Sequence, residues 1–124
     1  MDSAVKVMIR KGEEPPCMGP GVKMLLEAIE KDGSVALASQ ELGISYSKCW
    51  KMIRNAEEGF ELKLVERSSG GKNGGHAHLT EDGERILETF KKMEKDVKDY
   101  SEKVFRKYFS FLSPIIKRVK TIYR

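Results

Sequence analysis

Apolar residues recur every three or four positions along most of the chain, and this spacing predicts a series of amphipathic helices. The first begins at Pro20, which suits the first turn of a helix because its missing N–H has no partner there. It ends at Gly33, since glycine readily adopts the left-handed conformation of a helix terminus. Its apolar positions are Val22, Leu25, Leu26 and Ile29. Residues 4–10 alternate between apolar and polar positions instead, which predicts a short strand.

Two further helices follow closely, over residues 34–42 and roughly 46–58. Ser34 and Ser45 are predicted as their N-caps, because a serine hydroxyl accepts a hydrogen bond from an N–H of the first turn. Gly43 lies in the tight turn between them, where φ must become positive. Small residues occur where the two helices would cross. This order indicates a helix-turn-helix.

The outward face of the second of these helices is polar and basic. It carries Ser45, Tyr46, Ser47, Lys48, Lys51 and Arg54. From Ser45 to Asn55 there are three cations and no acid, as expected of a helix that faces phosphates in a major groove. An ordinary helical hairpin with a solvated basic face would show the same pattern, so this feature alone leaves both interpretations open.

A predicted hairpin comes next, with strands over residues 62–67 and 77–80 around a glycine-rich segment. The segment contains Lys72 and Asn73, and no acid occurs from Ser68 to Leu79. Such a tip suits contacts to phosphate or to the minor groove, whereas a plain solvent-exposed turn is the alternative. We predict a wing with a mobile tip.

A long helix begins at Glu81, after Thr80 as its cap, and its apolar residues follow a period near 3.5. A narrow seam of this kind favours pairing with another helix, so we predict dimerisation here rather than packing on the same domain alone. The predicted seam residues are Phe90, Met93, Val97, Tyr100, Val104, Tyr108 and Leu112. Ser113 and Pro114 are expected to kink or restart the helix.

The predicted fold class is therefore mainly α with a small β wing (α+β): a winged helix-turn-helix in residues 1–80, then a helical dimerisation extension in residues 81–124. Among 124 residues, 23 are Lys or Arg and 19 are Asp or Glu, for a net charge of +4. Seven of those cations lie after residue 102 with no acid, so the preceding part is slightly acidic. We rank this basic tail first as the edge of a dimer seam, then as extra DNA contact, then as a membrane-surface helix.

Other classes of protein fit poorly. No apolar run would span a bilayer, no secretory leader is recognised, and the two cysteines do not form a disulfide framework, so we expect a cytoplasmic protein. His76 and His78 supply too few ligands for a structural metal site. Cys49, between lysines, is interpreted as a buried apolar residue rather than a redox sensor. No catalytic constellation occurs, and we expect no enzyme activity, metal or cofactor.

Several short motifs together resemble one known family. They are Gly19-Pro20-Gly21, Leu25-Leu26-Glu27-Ala28-Ile29, Gly33-Ser34, Gly43-Ile44-Ser45-Tyr46, Trp50, Leu64-Val65-Glu66-Arg67, Gly70 to Gly75 and Leu79 to Gly83. In this order they resemble the N-terminal DNA-binding domain of the ModE family of molybdate-responsive regulators, and also the related LysR-type winged helix. The resemblance covers about residues 4–90.

The resemblance implies a homodimeric, sequence-specific transcription regulator of double-stranded DNA. The second helix of the helix-turn-helix would enter the major groove through Ser45, Tyr46, Ser47, Lys48 and Lys51. The wing would contact the backbone or minor groove through Arg67, Lys72 and Asn73. Ser34 and Arg54 complete the predicted DNA-contacting set, whereas Trp50 is interpreted as core.

We expect no molybdate-binding domain after residue 80, so the resemblance does not carry oxyanion sensing and any effector stays open. Two other functions remain as alternatives. One is a winged-helix protein-interaction module. The other is an architectural protein that binds DNA without sequence preference.

Overall fold

The computed structural model describes residues 1–68 and 75–112, and within them the chain forms four helices and one hairpin. The helices are α1 (Pro20–Asp32), α2 (Val35–Leu42), α3 (Tyr46–Phe60) and α4 (Glu81–Tyr108). The strands are β1 (Val65–Ser68) and β2 (His76–Leu79), paired antiparallel. The predicted fold class, mainly α with a small β wing and a long C-terminal helix, is confirmed.

The predicted helix ends are also confirmed. Ser34 Oγ accepts from the Leu37 N–H at 3.2 Å at the start of α2, and Ser45 Oγ accepts from the Lys48 N–H at 3.2 Å at the start of α3. Gly33 and Gly43 end α1 and α2 with φ of 70° and 66°. These left-handed residues turn the chain sharply, and α2 and α3 therefore follow each other as a helix-turn-helix.

The compact unit Met8–Phe90 contains the three short helices, the hairpin and the start of α4. Its core forms where the apolar faces of α1, α2 and α3 meet, because each helix is amphipathic. The fully buried side chains include Leu25, Leu26, Ile29, Ala38, Cys49, Ile53, Leu64, Val65, Leu87 and Phe90. The β2 strand joins this core at its edge, where the Ala77 N–H donates to the Gly33 carbonyl at 2.9 Å.

The hairpin leads directly into α4. Thr80 Oγ1 accepts from the Gly83 N–H at 2.9 Å, so the predicted cap is confirmed. A Cβ at Gly83 would collide with the Leu64 carbonyl oxygen, and this position therefore requires glycine. The predicted DNA contacts Lys72 and Asn73 lie outside the described residues, and so does the predicted mobile wing tip.

The predicted strand over residues 4–10 is wrong. Of these residues only Ile9 is paired, in a single antiparallel bridge with Met18. In this antiparallel register, residues 4–8 would face residues 19–23, where α1 already begins at Pro20. Because a helical backbone cannot continue a β-ladder, the pairing cannot extend along the predicted strand.

A second unit consists of Met1–Val7 and, among the described residues, those from Lys91 to Leu112. The Ser3 N–H donates to Glu102 Oε1 at 2.8 Å, and Ser3 Oγ lies 2.7 Å from Ser101 Oγ. These contacts bury the Glu102 carboxylate on one face of α4. No helix among the described residues is long and apolar enough to cross a membrane.

Two residues of the predicted dimer seam, Phe90 and Leu112, do not lie on the exposed part of α4. Phe90 is 2% exposed and belongs to the core of the Met8–Phe90 unit, because its side chain is already covered within the chain. Leu112 does not lie on α4, since the helix ends at Tyr108 and the Leu112 N–H donates to the Phe109 carbonyl in a following turn. Stacking of Phe105 on Phe109, with ring centroids 5.1 Å apart, accompanies this ending.

Candidate nucleic-acid interface

Helical spacing divides α3 into a buried and an exposed face. Cys49, Trp50, Ile53 and Ala56 are buried against the domain, as the sequence predicted for Cys49 and Trp50. The outward residues Ser45, Tyr46, Ser47, Lys48, Lys51, Arg54 and Asn55 are all exposed. The structure thus brings the predicted recognition residues together along one edge of α3.

The cations on this edge have no carboxylate partner in the part of the chain that the structure describes. Within the described residues, none of Lys48, Lys51 and Arg54 forms an ion pair. Their charged groups therefore stay available to an anionic ligand. A nucleic-acid phosphate backbone suits this arrangement, because each phosphate that a cation neutralises releases a counterion and so favours binding.

A surface groove runs beside this edge of α3. It is lined by Pro15, Ser47, Lys48, Lys51, Met52, Arg54, Asn55 and Glu58. Asn55 Nδ2 donates to the Pro16 carbonyl at 3.3 Å, which fastens the proline-containing loop to the helix. Glu58 is the one acid in this lining, at the C-terminal end of the groove.

The start of the wing is tied to the far end of α3 by Glu57. Its Oε2 accepts from the Leu64 N–H at 2.9 Å and from the Val65 N–H at 3.3 Å. The adjacent Glu58 is exposed instead. Sequence analysis did not predict this role of Glu57, because nothing in a Glu-Glu pair indicates which carboxylate reaches the backbone of a later strand.

The wing also contacts the middle of α3. The Arg67 Cζ lies 4.0 Å from the centroid of the Trp50 ring, while Tyr46 approaches the same ring edge-on at 6.5 Å between centroids. Trp50 is 8% exposed, so its interpretation as a core residue is confirmed. Arg67, a predicted wing contact, is exposed and lies close to α3.

The position of Ser34 argues against its predicted contact with DNA. It is 8% exposed, and its hydroxyl accepts the N-cap hydrogen bond of α2. A side chain that is buried and engaged in this way has a structural role, and we leave Ser34 out of the candidate interface.

The remaining candidate chemistry is accounted for by ordinary contacts. His76 and His78 are exposed, and His78 Nε2 lies 3.2 Å from Glu66 Oε2 on the paired strand. The described part of the chain holds no group of three or more potential metal ligands. Burial raises the pKa of the Cys49 thiol, although Lys48 acts in the opposite direction. A buried thiol with a raised pKa is a poor redox sensor.

Comparison with known proteins places this geometry in a family context. Residues 24–84 match the family model described as a bacterial regulatory helix-turn-helix protein of the lysR family. The chain is 39% identical over 75 residues to the molybdenum-pterin-binding protein MopA of Rhodobacter capsulatus, an alignment that covers 60% of this chain and 28% of MopA. It is also 39% identical over 66 residues to the DNA-binding transcriptional dual regulator ModE of Escherichia coli K12, covering 53% of this chain and 25% of ModE.

The matched part thus corresponds to about a quarter of the length of these curated relatives. Among solved structures, a multiple antibiotic resistance repressor, MarR, superimposes with a TM-score of 0.54 at 16% identity. That match covers 82% of this chain and 76% of MarR. At such low identity the likeness concerns the fold, which it supports as a winged helix.

Proposed function

Because this chain carries a LysR-type, ModE-like winged helix-turn-helix over residues 24–84, we propose that it is a transcription regulator that binds double-stranded DNA. The observation that carries the proposal is the exposed edge of α3, with three cations that have no ion-pair partner among the described residues. The related ModE is itself a DNA-binding regulator, which supports the same partner.

In the proposed complex, α3 enters the major groove. Ser47 and Lys48 lie in the first turn of the helix, where side chains reach base edges in helix-turn-helix proteins. Lys51 follows about one turn later and Arg54 about two turns later, and both suit the phosphate backbone. Arg67 contacts the backbone beside α3, and the sequence adds Lys72 and Asn73 at the wing tip.

We also propose that the regulator acts as a homodimer through α4. Its seam consists of Met93, Val97, Tyr100, Val104 and Tyr108. The two tyrosines are 69% and 65% exposed, and the three aliphatic residues are half-buried, so apolar surface remains for a second helix. A two-fold protein dimer predicts a DNA site with inverted half-sites about 34–36 Å apart.

Selection from a random duplex pool with the purified chain, at two salt concentrations, tests this function. We expect an enriched inverted repeat and binding that weakens steeply with salt. Salt-sensitive binding without enrichment would indicate an architectural DNA-binding protein instead. If no duplex is retained at either salt concentration, the protein-interaction alternative replaces the proposal.

The base-reading and phosphate-contacting roles are separable by substitution. Ser47→Ala or Lys48→Ala should change which bases the selection enriches, with a discrimination of about 1–3 kcal/mol at the affected position. Lys72→Ala should weaken binding to all sequences alike and flatten the salt dependence. A set of enriched sites that is unchanged in both α3 variants would contradict the assignment of α3 as the recognition helix.

A further inference from the structure

Arg67 and Trp50 form the contact that joins the outer strand of the wing to the middle of the recognition helix. They are 17 positions apart in the chain, yet the Arg67 guanidinium carbon lies 4.0 Å from the centre of the indole ring. Trp50 is fixed, because it is 8% exposed and Tyr46 packs edge-on against it. The ring therefore offers a rigid face to a side chain that would otherwise move freely in solvent.

A guanidinium that stacks on an aromatic ring does not use its N–H groups for that contact. The N–H groups lie in the plane of the guanidinium and can still donate to another acceptor. Among the described residues, Arg67 has no carboxylate partner, and the adjacent Glu66 is engaged with His78 across the hairpin. The β1 strand is held independently at its start, where Glu57 accepts from the Leu64 and Val65 N–H groups. Backbone anchoring at Glu57 and stacking on Trp50 together fix where the Arg67 charge lies relative to α3.

We propose that Trp50 is a positioning residue, which holds the Arg67 guanidinium beside α3 so that it binds a DNA backbone phosphate next to the recognition helix. This inference rests on the proposed DNA-binding function. Arg67 supplies the charge and the hydrogen-bond donors, and Trp50 acts through Arg67 without touching DNA. The stack removes conformational freedom from Arg67 before binding, so less entropy is lost when the phosphate is bound.

A double-mutant cycle on a duplex from the selected pool tests the coupling. Arg67→Ala should weaken binding roughly tenfold on specific and unrelated duplexes alike, and should flatten the slope of log affinity against log salt by about 0.9. Trp50→Leu should weaken binding in the same way but add little in the Arg67→Ala background. Trp50→Phe, which keeps an aromatic face, should restore most of the affinity.

Lys48→Ala is the matched control, because Lys48 is a cation of α3 that does not contact the ring. Its effect should add to that of Trp50→Leu, whereas the effect of Arg67→Ala should not. Additive losses in the Arg67–Trp50 cycle would overturn the inference while leaving the proposed function intact. A wild-type chain that retains no duplex at all would overturn the proposed function itself.

Trp50 is the single tryptophan of the chain, so its fluorescence gives a second measurement that does not depend on folding of a Trp50 variant. Arg67→Ala should make Trp50 more accessible to acrylamide in the free protein. Saturating duplex should protect Trp50 further from acrylamide in the wild type but not in Arg67→Ala. Equal quenching in both proteins, with and without DNA, would show that Arg67 does not cover the ring and would also overturn the inference.

Discussion

Two surfaces of the Met8–Phe90 unit carry lysines in opposite electrostatic settings. Where α1 and α2 end, Lys31 Nζ lies 2.8 Å from Glu41 Oε1. Along the outer edge of α3, Lys48, Lys51 and Arg54 form no ion pair within the described part of the chain. The first surface satisfies its own charges, whereas the second leaves a row of positive charge available to a ligand.

The pKa values of the paired surface agree with this distinction. The hydrogen bond and charge of Glu41 raise the pKa of Lys31. A hydrogen bond between the two carboxyl groups raises the pKa of Asp32 and lowers that of Glu41, and Lys31 lowers the latter further. The shifts at Lys31 and Glu41 favour their charged forms, whereas the shift at Asp32 favours its neutral form. Charge pairing, more than net charge, therefore separates a structural surface from a candidate DNA-binding one.

The largest expected effect comes from removing the unpaired cations together. Lys48→Ala, Lys51→Ala and Arg54→Ala in one chain should weaken DNA binding roughly 100-fold or more, and flatten the salt slope by about 1.8, since Lys51 and Arg54 are each proposed to contact one phosphate. Fluorescence anisotropy with a labelled duplex at several salt concentrations measures both quantities. The fold should persist, since all three side chains are exposed.

A matched control removes the same charge from paired positions. Lys11, Lys31 and Lys95 each form an ion pair, with Glu61, Glu41 and Asp99 respectively. Replacing all three with alanine should leave the affinity within about threefold, because exposed ion pairs contribute little and none of the three lysines is among the residues that line the groove. An equal loss of DNA affinity in the two triple variants would mean that binding depends on total charge. It would contradict the distinction between the paired and the unpaired surface.

The local signals in the sequence predicted most of the scaffold on which these surfaces lie. Ser34 and Ser45 are caps, and Gly33 and Gly43 are left-handed, because each feature depends on a few neighbouring residues. The predicted strand at residues 4–10 failed for the opposite reason. A strand needs a partner, and alternation alone does not show that the segment containing Met18 can pair at only one position.

The contacts between α3 and the wing were beyond sequence analysis. The outward face of α3 was predictable from helical spacing, but Glu57 reaches a backbone seven positions later and Trp50 meets Arg67 across 17 positions. Such contacts depend on how the hairpin packs, which no short pattern encodes. Phe90 illustrates the same limit, since the spacing that suggests a dimer seam also fits the domain core that the residue occupies.

An intermediate effect is expected from the two adjacent glutamates at the end of α3. Glu57→Ala leaves the buried Leu64 and Val65 without their side-chain acceptor, and should lower the free energy of unfolding by about 1–3 kcal/mol. Urea denaturation followed by circular dichroism measures this change.

The neighbouring Glu58 provides the control for that variant. Glu58→Ala should leave stability nearly unchanged, because the side chain is exposed and lines the groove beside Arg54. Removing this acid should slightly strengthen DNA binding through reduced repulsion of phosphate. If Glu57→Ala and Glu58→Ala cost the same stability, the proposed anchoring of the wing by Glu57 is incorrect.

The smallest effect is expected at the paired surface itself. A lowered pKa of Glu41 stabilises the fold above the ordinary range of carboxyl groups, and this contribution is lost as pH falls through the pKa in the folded state. A raised pKa of Asp32 acts with the opposite sign, being lost as pH rises through its own folded value. Glu41→Gln removes the carboxylate on which both pKa shifts depend. Between about pH 3 and 6, the unfolding temperature of this variant should therefore lose the two small dependences on pH that these groups cause. DNA affinity at neutral pH should not change, because these charges are already paired in the wild type. A change in affinity comparable to that of Lys48→Ala would show that the paired surface also contacts DNA.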